Sequence, residues 1–299
     1  MTTTHATLVI GATGTTGSRT VARLVGAGHR VRAASRRATP VPGAEPVAFD
    51  WYRPGTHAAA LAGTDRVYLV PPVGDPEPAA VMLPFLRRAR AAGVHRAVLL
   101  SASAIPRGGP AAGKVHEALP GIFGQWAVLR PSWFMQNFTG EHTHATSIRE
   151  EGVIRTATGG GRVAFVDAED IAAVAARALT GPDAPGTDLV LTGPEALGYD
   201  DIAATLTRVT GRPVRHHRLS FEQMRDRLAT QLPREFASML AGMDRAIAEG
   251  ADARITGTVQ RITNRPPHTF RDVLDRELVQ EGRRPAETPA AAPTRRTVT

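Results

Sequence analysis

A glycine-rich turn near the N-terminus is the feature of the sequence most directly suited to chemistry. Residues 11–17 read Gly-Ala-Thr-Gly-Thr-Thr-Gly, a GxxGxxG spacing that follows an apolar run and precedes a helical pattern. Glycines in this position let the backbone approach a pyrophosphate, and the following helix presents free N–H groups and its positive dipole end. The predicted dinucleotide contacts are Gly11, Thr13, Gly14, Thr15, Thr16 and Gly17. A purely structural tight turn is the alternative interpretation.

The end of the second predicted strand indicates which dinucleotide is bound. An acid about 20 residues after the glycine turn binds the ribose 2′-hydroxyl of NAD. This chain instead has Ser35, Arg36 and Arg37, with no acid before Glu45. Guanidinium forks suit a 2′-phosphate, so we predict NADP(H). Further candidate cofactor contacts are Asp50, whose alternative role is to cap a turn, and Pro71 and Pro72.

Three side chains are candidates for proton transfer. Ser101 ends the strand predicted at residues 97–101, and Lys114 and His116 begin a short helix after it. Ser101 and Lys114 are also predicted cofactor contacts, because a side chain there can hydrogen-bond the nicotinamide ribose. Lys114 and His116 are two residues apart on a helix and point to different sides, so we expect one of them to face the cofactor. The alternative is that both are exposed surface residues.

Strand and helix patterns alternate through the first half of the chain and position these residues. The apolar runs lie at residues 6–10, 31–35, 67–70, 97–101 and 126–130. Helical patterns occupy residues 19–26 and 79–92 between them. This alternation predicts an α/β fold with a doubly wound parallel sheet, whose ligands bind beyond the carboxyl ends of the strands.

The segment after the strand predicted at residues 126–130 is expected to line the substrate pocket. Pro131, Ser132 and Trp133 are expected beside the nicotinamide, and Pro131 and Trp133 are predicted cofactor contacts. The predicted substrate contacts are Trp133, Phe134, Met135, Asn137, Phe165 and Met224. Aromatic and thioether side chains favour a flat apolar substrate. Core packing is the alternative explanation for an apolar cluster of this kind.

The second half of the chain shows a different organisation. Helices are predicted at residues 170–179, 200–209, 221–249 with a break at Pro233, and 272–279, with a strand at 188–191. We predict a nucleotide-binding domain over residues 1–198, with 139–164 contributing to the substrate side. A smaller, mainly helical substrate domain follows over 199–282, and 283–299 form a disordered tail. Asp167 and Asp170 match a helix-capping pattern rather than a catalytic one.

Composition excludes several classes of function. The chain has 299 residues and no cysteine, which excludes disulfides, thiolate metal sites and cysteine nucleophiles. Residues 283–299 carry +3 of the formal charge of +8 and the rest of the chain is only mildly basic, so we expect no nucleic-acid partner. No apolar run reaches a membrane span and no signal peptide is recognisable, so we expect a cytoplasmic protein with no membrane partner. His142 and His144 lack an accompanying set of carboxylates, and the adjacent His216 and His217 would point apart on a strand, so we expect no metal site.

Four segments together carry a resemblance to a known family. They are the GATGTTG turn, residues 129–138 (LRPSWFMQNF), residues 165–171 (FVDAEDI) and residues 191–202 (LTGPEALGYDDI). They resemble the NmrA-like atypical short-chain dehydrogenase/reductases, in particular the branch of ergot-alkaloid reductases such as festuclavine and agroclavine dehydrogenases and their bacterial relatives. The resemblance implies a Rossmann domain, a small C-terminal substrate domain, and NADP(H)-dependent reduction of a C=N or C=C bond in secondary metabolism.

The sequence departs from ordinary short-chain reductases in its acid catalyst. Those enzymes use Tyr-x-x-x-Lys, but the residue four before Lys114, the one lysine, is Pro110. We therefore predict an NADPH-dependent reductase without tyrosine-based acid catalysis, acting on a C=N, C=C or quinone/carbonyl group of a hydrophobic, aromatic or polycyclic small molecule. Two alternatives are an NADP-sensing regulatory protein without turnover and an NADP-containing isomerase or cyclase. The expected assembly is a monomer or homodimer.

Overall fold

The computed structural model describes residues 5–280, with side chains described up to residue 277. The strands are β1 (Ala6–Ile10), β2 (Val31–Ser35), β3 (Glu45–Ala48), β4 (Thr64–Leu69), β5 (Arg96–Leu100), β6 (Gln125–Pro131), β7 (Val153–Thr156), β8 (Arg162–Val163), β9 (Asp188–Leu191), β10 (Leu197–Gly198) and β11 (Arg215–Arg218). The predicted tail, residues 283–299, lies outside the described residues.

Helices connect most of these strands. They are α1 (Thr15–Gly26), α2 (His57–Leu61), α3 (Ala79–Ala91), α4 (Gly113–Ile122), α5 (Thr143–Glu151), α6 (Ala168–Thr180), α7 (Tyr199–Thr210), α8 (Phe221–Leu228), α9 (Arg234–Ala248), α10 (Thr258–Thr263) and α11 (Phe270–Gln280). The break predicted at Pro233 is confirmed, because this residue lies directly before α9. Within residues 5–280, no helix combines the length and apolar character needed to cross a membrane.

Seven strands form one parallel sheet in the order β3-β2-β1-β4-β5-β6-β9. The chain moves outward from β1 in one direction through β2 and β3, and then in the other from β4 onward. The crevice between the carboxyl ends of β1 and β4 is therefore a topological switch point, where ligands bind in such sheets. The predicted doubly wound parallel sheet is confirmed.

Apolar packing on both faces holds the sheet. On one face, α1 and α6 pack through Val21, Leu24 and Ile171. On the other face, α3 and α4 pack through residues that include Phe85 and Leu119. All five residues of β1 are buried, as expected for a central strand covered on both sides.

A third apolar cluster joins segments that are distant in the sequence. It includes Met135, Phe138 and Ile154 together with Tyr199 and Phe270. The short strands β7 and β11 pair in parallel beside it, and β8 pairs antiparallel with β10. Helix α10 instead packs on α6 and β9 of the large sheet. The second part of the molecule thus contains residues from before and after residue 198. The domain boundaries remain a prediction.

Candidate functional site

The glycine turn lies at the carboxyl end of β1 and has the geometry of an anion cradle. Gly11 has a positive φ of 73°, and Gly14 is the extended N-cap of α1. A Cβ atom at Gly17 would lie 2.0 Å from the carbonyl oxygen of Gly11, so no side chain fits there. The first N–H groups of α1 have no intrahelical partner, and the first turn carries no acid that would repel an anion. This arrangement fits the pyrophosphate of a dinucleotide.

The threonines of this turn divide into two groups. Thr13 and Thr15 are exposed. Thr16 is buried, and its hydroxyl oxygen accepts a hydrogen bond of 3.2 Å from the Tyr68 hydroxyl. The side chain of Thr16 is therefore part of the core, and its backbone N–H is the group of this residue that can face a ligand.

The segment after β2 presents two unpaired guanidinium groups. Arg36 and Arg37 are exposed, and neither has a carboxylate partner among residues 5–280. The Ser35 hydroxyl accepts the N–H of Thr39 at 2.9 Å, and its carbonyl accepts that of Phe49. Ser35 thus holds the turn that carries both arginines, and the pair is available to a phosphate.

The remaining predicted cofactor contacts of this region lie along the same edge. Asp50 accepts the backbone N–H of Tyr52 at 2.9 Å, which is the turn-capping alternative recognised in the sequence. Pro71 and Pro72 are partly buried in the segment that follows β4. Asp50 therefore follows the carboxyl end of the outer strand β3 and caps a turn, while Pro71 and Pro72 follow β4 at the switch point.

Two buried hydroxyl groups without partners lie where β5 and β6 end. The Oγ atoms of Ser101 and Ser132 are both buried and make no hydrogen bond to residues 5–280. Their backbones bind neighbouring strands: the N–H of Ser101 donates to Leu129 at 2.7 Å, and that of Ser132 donates to Leu191 at 2.9 Å. Because unsatisfied buried polar groups are costly, two of them at a ligand-binding edge indicate groups kept for a ligand.

Lys114 and His116 point to different places, as their spacing predicts. The Lys114 ammonium forms an ion pair of 2.7 Å with Glu77, in the loop that follows β4. His116 is 2% exposed, which contradicts the alternative that it is a surface residue. Burial lowers the pKa of His116, and its Nδ1 has no hydrogen-bond partner within residues 5–280. The imidazole is therefore neutral near pH 7, and no contact in this region joins it to Ser101.

The predicted substrate residues divide between a partly exposed group and the core. Trp133, Phe134, Asn137 and Met224 are partly buried, and Pro131 is buried at the end of β6. Met135 and Phe165 are fully buried in the third apolar cluster. In this structure the last two pack the core, and Trp133 presents polar and aromatic surface at the strand ends.

A carboxylate that the sequence reasoning missed lies beside Trp133. Asp252, in the loop after α9, accepts the indole N–H of Trp133 at 3.0 Å and lies 3.5 Å from the Ser103 hydroxyl. Its partners are 119 and 149 positions away in the chain. A single aspartate in an alanine- and glycine-rich loop carries no local signal, so only the tertiary structure could identify it.

Asp167 and Asp170, which the sequence predicts to cap a helix, belong to a buried ionic network. Asp167 caps α6 by accepting the N–H of Glu169, and it contacts His268 at 2.9 Å and Arg276 at 3.0 Å. Burial alone would raise the pKa of Asp167, but the hydrogen bond from His268 and the charge of Arg276 lower it to about 2. Hydrogen bonds to Asp167 and Asp170 raise the pKa of His268 to about 9.

This network also contains the one group of ligand atoms in residues 5–280 with metal-like spacing, namely Asp167, Asp170 and His268. Arg265 contacts Asp170 at 2.7 Å, and Arg276 contacts Asp167. The carboxylates are thus already neutralised by protein cations, which is the arrangement of a structural ion-pair cluster rather than of a metal site.

Comparisons with known proteins agree with this geometry. A family profile described as NAD(P)H-binding matches residues 11–124. The uncharacterized oxidoreductase YesF of Bacillus subtilis is 42% identical over 88% of this chain and 92% of its own length. Agroclavine dehydrogenase of Claviceps fusiformis is 40% identical over 76% of this chain and 81% of its own. The triphenylmethane reductase of Citrobacter sp., solved with NADP(H), shares the fold with a TM-score of 0.76 at 23% identity, over 91% of this chain and 100% of its own.

Proposed function

Because this chain belongs to the NAD(P)H-binding, NmrA-like atypical short-chain dehydrogenase/reductases, we propose that it is an NADPH-dependent reductase of a flat, hydrophobic small molecule. The family membership makes the chain an oxidoreductase that binds NAD(P)H. The proposal adds the preference for NADPH, the kind of substrate and the group that is reduced, which is a C=N, C=C or quinone/carbonyl group.

The observation that carries the proposal is the pair of unpartnered hydroxyls at the edge shared with the glycine turn. Ser101 and Ser132 follow neighbouring strands of the sheet in which β1 and β4 form the switch point. A dinucleotide held at Gly14 would place its nicotinamide end along this edge. Trp133, next to Ser132, offers an aromatic surface for a flat acceptor.

The preference for NADPH rests on charge. Arg36 and Arg37 are exposed and unpaired in the described chain, where an acid would select NAD. A 2′-phosphate would accept charge-assisted hydrogen bonds from these guanidinium groups. NADH has no such phosphate and would gain nothing from them.

The mechanism that suits these residues does not require a strongly acidic side chain as proton donor. When bound, the reduced nicotinamide supplies a hydride. The first turn of α1 would hold the pyrophosphate, and the hydroxyls of Ser101 and Ser132 would donate to or accept from groups at the strand ends. Lys114 is engaged by Glu77 and His116 is neutral and buried, which leaves Ser101 as the chain's best-placed group to pass a proton. An iminium acceptor needs no proton at all, which favours C=N reduction.

Turnover of NADPH against a panel of acceptors tests the proposal. The panel contains an aromatic iminium, a quinone, an enone and a ketone of similar size, each assayed with NADPH and with NADH. We expect NADPH consumption with at least one acceptor and a slower reaction with NADH. Tight NADPH binding without consumption across the panel would instead favour a cofactor-sensing protein, and conversion of an acceptor without net consumption would favour an isomerase.

A further inference from the structure

The loop after α9 brings one acidic side chain to the strand ends where the acceptor is proposed to bind. The backbone carbonyl of Asp252 accepts the N–H of Ala164 at 2.9 Å, which anchors the loop. Its carboxylate contacts Trp133, the neighbour of Ser132, and Ser103, two residues after Ser101. The carboxylate therefore contacts the two chain segments, after β5 and after β6, that also carry the unpartnered hydroxyls of Ser101 and Ser132.

Asp252 has no positively charged partner among the residues that the structure describes. No Lys, Arg or His side chain of residues 5–280 lies within 4.0 Å of its carboxylate, whose hydrogen bonds come from neutral groups. The nearby guanidinium of Arg130, which binds the Ser103 carbonyl, is itself paired with Asp188 at 2.7 Å. Arg254 is exposed on the same loop. Asp252 itself is partly exposed, so its negative charge is accessible to a ligand that approaches Trp133.

A second carboxylate adds negative charge on the same side. Asp244 is 8% exposed and accepts the N–H of Ala157 at 2.7 Å, again with no cation in contact within the described chain. Burial raises the pKa of Tyr199, and the negative charges of Asp244 and Asp252 raise it further. Both carboxylates therefore contribute negative charge around the buried Tyr199, and Asp252 also contacts Trp133.

We infer that Asp252 is a specificity-determining residue that favours positively charged aromatic acceptors over neutral ones of the same shape. The inference rests on the proposed function. A planar cation stacked near Trp133 would gain both the carboxylate and the indole face. Reduction adds hydride from NADPH to the carbon of a C=N⁺ group, the π electron pair moves to nitrogen, and the products are a neutral amine and NADP⁺.

The sign of the kinetic effect follows from this change of charge. The carboxylate attracts the cationic substrate more strongly than the neutral product, so it lowers KM and helps the product to leave. The transition state still carries part of this positive charge, so the carboxylate stabilises the transition state about as well as it stabilises the bound cation. Removal of the charge should therefore raise KM for a cation with little change in kcat.

Binding to the protein loaded with NADP⁺ tests the inference without any turnover. The probes are N-methylquinolinium, a cation, and 2-methylquinoline, which is neutral at pH 8, titrated by calorimetry. We expect wild type to bind the cation at least tenfold more tightly. Asp252→Asn should remove this preference and leave the neutral affinity within about twofold. The matched control Asp183→Asn removes a charge from an exposed loop and should keep the preference.

Turnover of N-methylquinolinium and 1,4-naphthoquinone completes the test. Asp252→Asn should lower kcat/KM for the cation about ten- to a hundredfold, through KM, and leave the quinone within about threefold. Equal affinity of wild type for the two binding probes, or an equal loss for both acceptors in the variant, overturns the inference. The binding of the two probes to wild type can overturn the inference even if Asp252→Asn folds poorly, because that comparison uses no variant. Preferential cation binding with no turnover of any acceptor would overturn the proposed function and leave the charge selection intact.

Discussion

Gly17 packs so closely against Gly11 that a Cβ atom at residue 17 would lie 2.0 Å from the Gly11 carbonyl oxygen. The obstructing atom belongs to the backbone, so it cannot move aside as the end of a flexible side chain would. The contact fixes the start of α1 against the turn that follows β1. Any group larger than hydrogen at residue 17 must displace either the helix or the turn.

We therefore expect Gly17→Ala to damage both stability and cofactor binding. Overpacking of this kind costs about 1–3 kcal/mol, and the displaced N–H groups should weaken NADPH binding more than tenfold. Thermal unfolding and calorimetry measure the two effects. Gly26→Ala is the control, because a Cβ atom there has no neighbour within 4 Å. Equal behaviour of the two variants would contradict the role assigned to Gly17.

Cofactor preference should depend on Arg36. Loss of a charge-assisted contact to the 2′-phosphate costs on the order of 1.5–3 kcal/mol, so Arg36→Ala should weaken NADPH binding about ten- to a hundredfold. NADH binding should change little. Titration of both cofactors into wild type, Arg36→Ala and the exposed control Arg212→Ala decides this. A wild-type preference for NADH would refute the assignment.

Replacement of any single tyrosine by phenylalanine should leave hydride transfer within a few fold of wild type. Tyr68 and Tyr199 are buried, burial raises both pKa values, and Tyr52 is bound to Asp75 at 2.6 Å. Tyr68→Phe should still cost about 1 kcal/mol of stability, because it removes the hydrogen bond to Thr16. Single-turnover assays of the three variants check this. A thousandfold loss of rate in one of them, with NADPH affinity intact, would show a tyrosine acid.

The proton donor should be revealed by comparing a ketone with a preformed iminium. Ser101→Ala should slow ketone reduction about 10²–10⁴-fold if its hydroxyl passes the proton, while iminium reduction survives. Lys114→Met and His116→Phe test the other two predicted catalytic residues, and we expect smaller effects because of the ion pair to Glu77 and the neutral, buried imidazole. Equal slowing of ketone and iminium by Ser101→Ala would assign Ser101 to binding instead.

His268 should stabilise the fold in a pH-dependent way. Its folded pKa is raised to about 9 from an ordinary value near 6.5, so its contribution is complete below pH 6.5 and is lost as pH rises through 9. The partner Asp167, whose pKa is lowered to about 2, keeps its charge down to strongly acidic pH. His268→Asn should therefore lose about 1–3 kcal/mol at pH 6 and much less at pH 9.5.

Chemical denaturation at the two pH values measures this difference. His217→Asn, which changes an exposed histidine of β11, provides the control and should show no such pH dependence. A loss of stability in His268→Asn that is the same at both pH values would mean that the ionic network does not depend on protonation of His268.

The sequence by itself determined the parallel sheet and the glycine turn. Strand and helix patterns are local, because side chains alternate along a strand and recur every three to four residues along a helix. These patterns therefore suffice to identify six strands of the main sheet and the glycine turn between β1 and α1, without knowledge of any tertiary contact. Strands β8 and β10 have two residues each, too few to show a period, and β11 contains no apolar residue. These strands and β7 form by pairing with segments that are distant in the sequence.

Only the tertiary structure decided what the individual side chains do. Thr16 lies in the predicted cofactor turn, yet its hydroxyl binds Tyr68, 52 residues away. Lys114 and His116 begin the same predicted helix. In the folded protein Lys114 forms an ion pair with Glu77, whereas His116 is buried. Asp252 reaches Trp133 across 119 residues. Such contacts depend on how whole elements pack, and a pattern that spans a few residues contains no information about partners that far along the chain.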